Sequence, residues 1–268
     1  MTRPPQCAAM ACMAATGSLE ERLALIAEAG FSHTTLTASG PFAEQTVLPA
    51  NVARYRELLT RFGLAVDSVH GFPALRLVGS NAEERAVAVA ATAWLIEQAA
   101  VLGAPVVVVH HALFPFPDDL PRATCFEQLT RAFTALLEGA GKHGIQIALE
   151  NLPTLDNLAT LDALFERLPD LRFCFDAGHA NLVGSWDLLP RHGDRLVAVH
   201  LHDNDGLTDR HLFPGDGTVP WPRVMDTLRA CGYSGVWSLE VIQAISGFPG
   251  TPREVTHRAY ERLLRVLR

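Results

Sequence analysis

Short runs of β-type residues alternate with longer stretches of helical period along the whole chain, about eight times over. The extended runs are Gln6–Met13, His33–Ala38, Leu64–His70, Pro105–His111, Ile145–Asn151, Leu171–Asp176, Arg195–Asp203 and Gly235–Val241. Between them the pattern predicts helices over Ser18–Gly30, Asn51–Phe62, Asn81–Leu102, Cys125–His143, Leu155–Leu168, Trp186–Leu189, Pro220–Cys231 and Thr251–Leu267. Ser18 ahead of Glu20 and Glu21 reads as a helix cap with acids in the first turn, and Gly30 closes that helix. Gly63, Gly103 and Gly144 each stand just before a strand, where αβ loops place glycine.

Strands that alternate with helices pair in parallel through right-handed crossovers. Eight such units in 268 residues close a barrel, so the expected fold is a single-domain (β/α)8 TIM barrel. An open doubly wound sheet is the rival. It calls for a Gly-rich turn after the first strand, and Ala14–Ala15–Thr16–Gly17–Ser18 is not one.

Composition narrows the class. Hydrophobic residues make up 49% and charged residues 19%, as in a chain with a large core. The net charge of −7 argues against broad nucleic-acid binding. The five cysteines, Cys7, Cys12, Cys125, Cys174 and Cys231, are odd in number and show no CxxC spacing, which fits a reduced, cytoplasmic setting. Cys7–Thr16 is small and apolar but lacks Leu, Ile, Val and Phe, so it is not read as a secretory signal. No stretch of about 18 apolar residues is expected to span a membrane.

Barrel enzymes carry their chemistry at the C-terminal ends of the strands. Six consecutive runs end in His, Asp or Glu. They finish at Asp67–Ser68–Val69–His70, His110–His111, Glu150–Asn151, Asp176–Ala177–Gly178–His179, His200–Leu201–His202–Asp203–Asn204 and Glu240. Each follows an apolar strand that would bury it, and a buried unpaired carboxylate costs several kcal/mol. A divalent cation offsets that cost and the repulsion between converging carboxylates. Glu150, Asp176 and Glu240 are hard oxygen donors and His200 is borderline, a set suited to Mn, Mg or Co; further histidines favour Zn or Fe. His200 and His202 share one face of a strand, with His200 taken as the ligand and His202 as a contact either to substrate or to the ligands themselves. His110 and His111 alternate, so only His110 is expected inside.

These segments resemble the xylose-isomerase-like barrels, a superfamily of sugar-phosphate isomerases, sugar epimerases, inosose-pathway enzymes and the endonuclease IV nucleases. The resemblance rests on Ala148–Leu149–Glu150–Asn151, Phe175–Asp176–Ala177–Gly178–His179, His200–Leu201–His202–Asp203–Asn204–Asp205–Gly206, Pro214–Gly215–Asp216–Gly217 with Trp221, and Leu239–Glu240. It implies one metal held by Glu150, Asp176, His200 and Glu240, with Glu150 and Glu240 also moving protons beside a carbonyl. The nuclease branch implies up to three metals, for which His70, His110, His179, Asp209 and His211 supply the additional ligands. The second run, Thr34–Thr35–Leu36–Thr37, lacks the acidic residue often found there.

Phe114, in Leu113–Phe114–Pro115–Phe116–Pro117, Arg210 and Trp221 are further candidate substrate contacts; rim packing is the competing reading for the phenylalanine and the tryptophan. Gly215, Gly217 and Thr218 are read either as amide donors to a phosphate or as a plain turn. The leading expectation is a metal-dependent isomerase or epimerase of a small sugar-like substrate in carbohydrate metabolism. A multi-metal hydrolase or phosphodiesterase, and a non-catalytic metal- or sugar-binding barrel, are the alternatives. A homo-oligomer is left open.

Overall fold

The structure, a computed structural model, describes residues 5–38, 50–71, 76–111 and 116–268. Eight parallel strands close into a barrel in chain order, with the last pairing to the first. They are β1 (Cys7–Met10), β2 (His33–Thr37), β3 (Ala65–His70), β4 (Val106–Val109), β5 (Gln146–Glu150), β6 (Arg172–Asp176), β7 (Leu196–Leu201) and β8 (Trp237–Leu239). The expected (β/α)8 barrel in a single domain is what forms.

Ten helices surround or cap the barrel among the described residues: α1 (Leu19–Ala29), α2 (Val52–Phe62), α3 (Ala82–Leu102), α4 (Arg122–His143), α5 (Leu155–Arg167), α6 (Ala177–Val183), α7 (Leu188–His192), α8 (Trp221–Ala230), α9 (Gln243–Ser246) and α10 (Pro252–Val266). Ser18 and Glu21 form a reciprocal capping box on α1, and Thr251 with Glu254 does the same on α10. Gly63, Gly103 and Gly144 close their helices in the left-handed conformation.

Two helices escape the periodic pattern. α6 begins directly at the end of β6, because Asp176 is both the last strand residue and the helix cap, accepting the His179 amide. α9 has only four residues, too few to show a period. By length and composition α3 is apolar enough to cross a membrane, with a mean hydropathy of 1.3, contrary to the expectation that no stretch is. Its buried residues, Leu95, Ile96 and Ala99, belong to the core between barrel and helices.

Alternation sorts the strand residues. Val107, Val109, Leu149, Phe173 and Phe175 pack outward against the helices, while Val106, Val108, Ala148, Cys174 and Ala198 pack together inside the barrel. One pleat repeat beyond these inward residues lie His110, Glu150, Asp176 and His200, so the same parity that fills the interior aims the polar groups into the mouth.

Phe133 on α4 is fully buried in the outer core. Truncation to alanine removes a ring and leaves a cavity, and Phe133→Ala is expected to lower stability by about 3–5 kcal/mol in denaturant titration. A loss below about 1 kcal/mol would contradict this packing.

Candidate functional site

Glu150 is the hub of the mouth. Its Oε2 lies 3.2 Å from His70 Nε2, His110 Nε2 and His200 Nδ1, and its Oε1 lies 3.1 Å from His179 Nδ1. His200 Nδ1 is also 3.1 Å from Glu240 Oε2. A second knot sits around Asp209, whose Oδ2 is 3.3 Å from both His179 Nε2 and His211 Nε2. Between the knots, His202 Nε2 lies 3.1 Å from Asp176 Oδ1, and the His202 ring stacks on His211 with centroids 4.2 Å apart.

His202 is fully buried and is enclosed by Asp176, Asp209 and His211, behind the residues that line the cavity. Register pairs the Cα of Asp176 with that of His200. Barrel strands are staggered, however, and the side chain that reaches Asp176 belongs to His202, one pleat further along. Glu150, His200 and Glu240 are brought together as expected, while Asp176 groups with His179 and His202. Gly178 makes room for this arrangement, since a Cβ there would overlap the His202 ring.

The other candidates divide. His70, His110, His179, Asp209 and His211 all line one cavity of about 400 Å³ together with Glu150 and Glu240. His111 turns the other way, to the Asn157 carbonyl at 3.0 Å, and burial pushes its imidazole down to about 4. Arg210 is exposed and does not line the cavity. Trp221 is also absent from the cavity: it is buried at the start of α8, where its indole donates to Asp203 at 2.8 Å. The loop after β7 turns back on itself through the Asp203–Leu212 bridge, and only part of its length faces the cavity. Phe114 lies outside the described residues. The amides of Gly215 and Thr218 are engaged by the Asp203 carboxylate and the Asn204 carbonyl, which removes two of the three proposed phosphate donors.

Sequence reasoning missed two supports. Asn151 pairs with the Asp176 backbone in both directions, at 2.8 and 2.9 Å, and ties the end of β5 to that of β6. Asp203 organises the loop after β7. Their signal is a polar residue directly after a strand-end ligand, which spacing alone cannot tell from the ligand itself.

Four carboxylates and six imidazoles thus converge on one largely buried region. Asp176 Oδ2, Asp209 Oδ1, Glu240 Oε2 and both ring nitrogens of His200 and His202 are buried without hydrogen-bond partners. Burial alone would push Glu150 and Glu240 up, but His200 and neighbouring imidazoles outweigh it and hold both well below the usual carboxylate range. Conversely, His179 and His200 are raised well above their ordinary value despite burial. Orphaned donor atoms of this kind, several of them within 4.8 Å of one another, fit a divalent cation. Imidazole-rich groups such as His70–His110–Glu150 suit zinc or iron as well as manganese.

His211 adopts a left-handed backbone, φ 47°, which costs a non-glycine residue about 1 kcal/mol or more. Burial opposes its charged form, but Asp209 and Glu240 prevail and raise it from 6.5 to about 9. In metal-free protein this contributes stability that is complete below pH 6.5 and lost as pH rises through about 9. The unfolding free energy of metal-free protein, from denaturant titration, is therefore expected to fall across that window, by about 3 kcal/mol from this residue. His211→Ala removes that part of the slope; an unchanged slope would refute the assignment.

Comparison with known proteins bears on this site. Residues 23–267 match the family model for a xylose isomerase-like TIM barrel. The uncharacterized protein y4fM of Sinorhizobium fredii is 31% identical over 247 residues, covering 80% of this chain and 78% of its own. Fructoselysine 3-epimerase of Escherichia coli O157:H7 is 32% identical over 75 residues, 28% of this chain and 26% of its own. The crystal structure of a D-tagatose 3-epimerase-like protein superposes with a TM-score of 0.80 over 98% of both chains, at 24% identity, which establishes a shared fold.

Proposed function

The chain belongs to the xylose isomerase-like TIM barrel family, and we propose that it is a metal-dependent isomerase or epimerase acting on a small, uncharged sugar or keto-sugar. One observation carries this reading. Two buried carboxylates, Glu150 on β5 and Glu240 beyond β8, line the same cavity and flank His200 at 3.2 and 3.1 Å.

Moving a hydrogen beside a carbonyl takes a base to remove the proton and an acid to return it to a planar enediolate. The imidazoles keep Glu150 and Glu240 ionised, so either carboxylate is ready to accept that proton. Strands on different sides of a closed barrel can present them to different faces of the intermediate. Glu150, Asp176 and Glu240, with His200 or His202, would hold a divalent metal. When bound, such a metal supplies Lewis-acid polarisation of the substrate's oxygens. His70, His110 and His179 face the same cavity and are placed to orient substrate hydroxyls or add ligands. No Lys or Arg lines the cavity among the described residues, which favours a free sugar over its phosphate. The epimerases among the relatives and fold neighbours support the same class.

Glu240→Gln tests the proton role. Glutamine keeps the shape but cannot take a proton, so turnover on a ketose panel and deuterium uptake from D₂O beside the carbonyl should both drop by about 10²-fold or more in a folded protein. Activity within tenfold of wild type removes Glu240 from that role.

A second reading, a multi-metal hydrolase, is favoured by one observation: the Asp209 knot of His179 and His211 sits on the same cavity as Glu150. Metal stoichiometry separates the two, one ion per chain for the isomerase and two or three for hydrolysis. With 22 basic against 29 acidic residues, poor DNA affinity is expected. Incision of a duplex with one abasic site, lost in Glu150→Ala, would promote the second reading.

A further inference from the structure

We propose that Asp203 is a positioning residue that builds the loop after β7 so that Asp209 and His211 reach the cavity, with the Trp221 indole as its clamp. This rests on the reading that Asp209 and His211 belong to the metal-binding site. The Asp203 side chain is wholly buried and is not among the residues that line the cavity. Its four acceptor positions are filled: Oδ1 takes the amides of Asn204 and Val219, each at 3.0 Å, and Oδ2 takes the Gly215 amide and the Trp221 indole, each at 2.8 Å. Gly215 and Val219 lie 12 and 16 residues downstream, so one carboxylate staples the returning half of the loop to the end of β7.

The Asp203 backbone adds an isolated antiparallel bridge to Leu212, with hydrogen bonds of 2.9 and 2.7 Å. Leu212 follows His211, the one non-glycine residue with positive φ among those described. A residue held in that conformation needs its neighbours pinned, and the Asp203–Leu212 bridge pins the next position. Gly217 packs so close that a Cβ would overlap Asn204 and the Asp203 carboxylate, so the loop closes on Asp203 only with glycine there. Charged acceptors of this kind form strong hydrogen bonds, and their removal leaves buried donors without partners.

Asp203→Asn keeps the shape but points an NH₂ at two of the four donors. Full-length protein stripped of metal and titrated with Zn²⁺ should bind at least tenfold more weakly than wild type, and the Trp221 indole N–H resonance should move. A merely structural residue would weaken binding by the same factor in any background. Acting through Asp209 and His211, the substitution should instead add less than twofold when Asp209→Ala is already present. Unchanged Zn²⁺ affinity in Asp203→Asn, or a full additional loss in the Asp209→Ala background, overturns the proposal. If Asp203→Asn does not fold, Trp221→Phe, which removes one donor only, carries the same two comparisons. If Asp209→Ala itself leaves Zn²⁺ binding untouched, the assignment of Asp209 to the site fails. Loss of Zn²⁺ affinity in Asp209→Ala but not in Asp203→Asn overturns the Asp203 proposal alone.

Discussion

Concentrated charge in a largely buried barrel mouth is the constraint on which this structure turns. Glu150 alone meets four imidazoles within 3.2 Å, and Asp176, Asp209 and Glu240 are packed close by. Left uncompensated, such a set would repel itself open. Protons on the histidines balance it here, and its clustered His, Asp and Glu atoms could also hold a metal ion. Everything beneath it is arranged to tolerate that load. The interior layer of Val106, Val108, Ala148, Cys174 and Ala198 is small and apolar, and burial keeps the Cys174 thiol protonated by pushing it up to about 12.

Holding the ligands takes more than the strands. Asn151 ties β5 to β6, Asp176 doubles as the cap of α6, and Gly178 leaves room for the His202 ring. The loop after β7 is anchored at both ends. Asp203 gathers it from within, and Arg258 and Arg262 of α10 pair with Asp216 from outside. The cavity wall away from the His, Asp and Glu cluster is apolar, formed by Met10, Cys12, Leu152, Ile242 and Ile245, so the cavity presents charge on one side and hydrocarbon on the other.

The fold and the hub were legible in the chain because both follow from period. Alternation of two along each strand determined which residues fill the barrel and, at the strand ends, which polar groups such as Glu150 and His110 stand at the mouth. Eight repeats of strand and helix determined closure. What stayed hidden depends on distance in space. His200 and His202 share a face, and only the stagger between β6 and β7 decides which one meets Asp176. Trp221 and Asp203 are 18 residues apart, and only the folded loop shows that the indole serves the carboxylate instead of a substrate. Sequence by itself sets local periodicity and donor chemistry, since these are properties of neighbouring residues. Tertiary structure alone sets which donors share a point, since barrel shear and loop closure are properties of the whole chain.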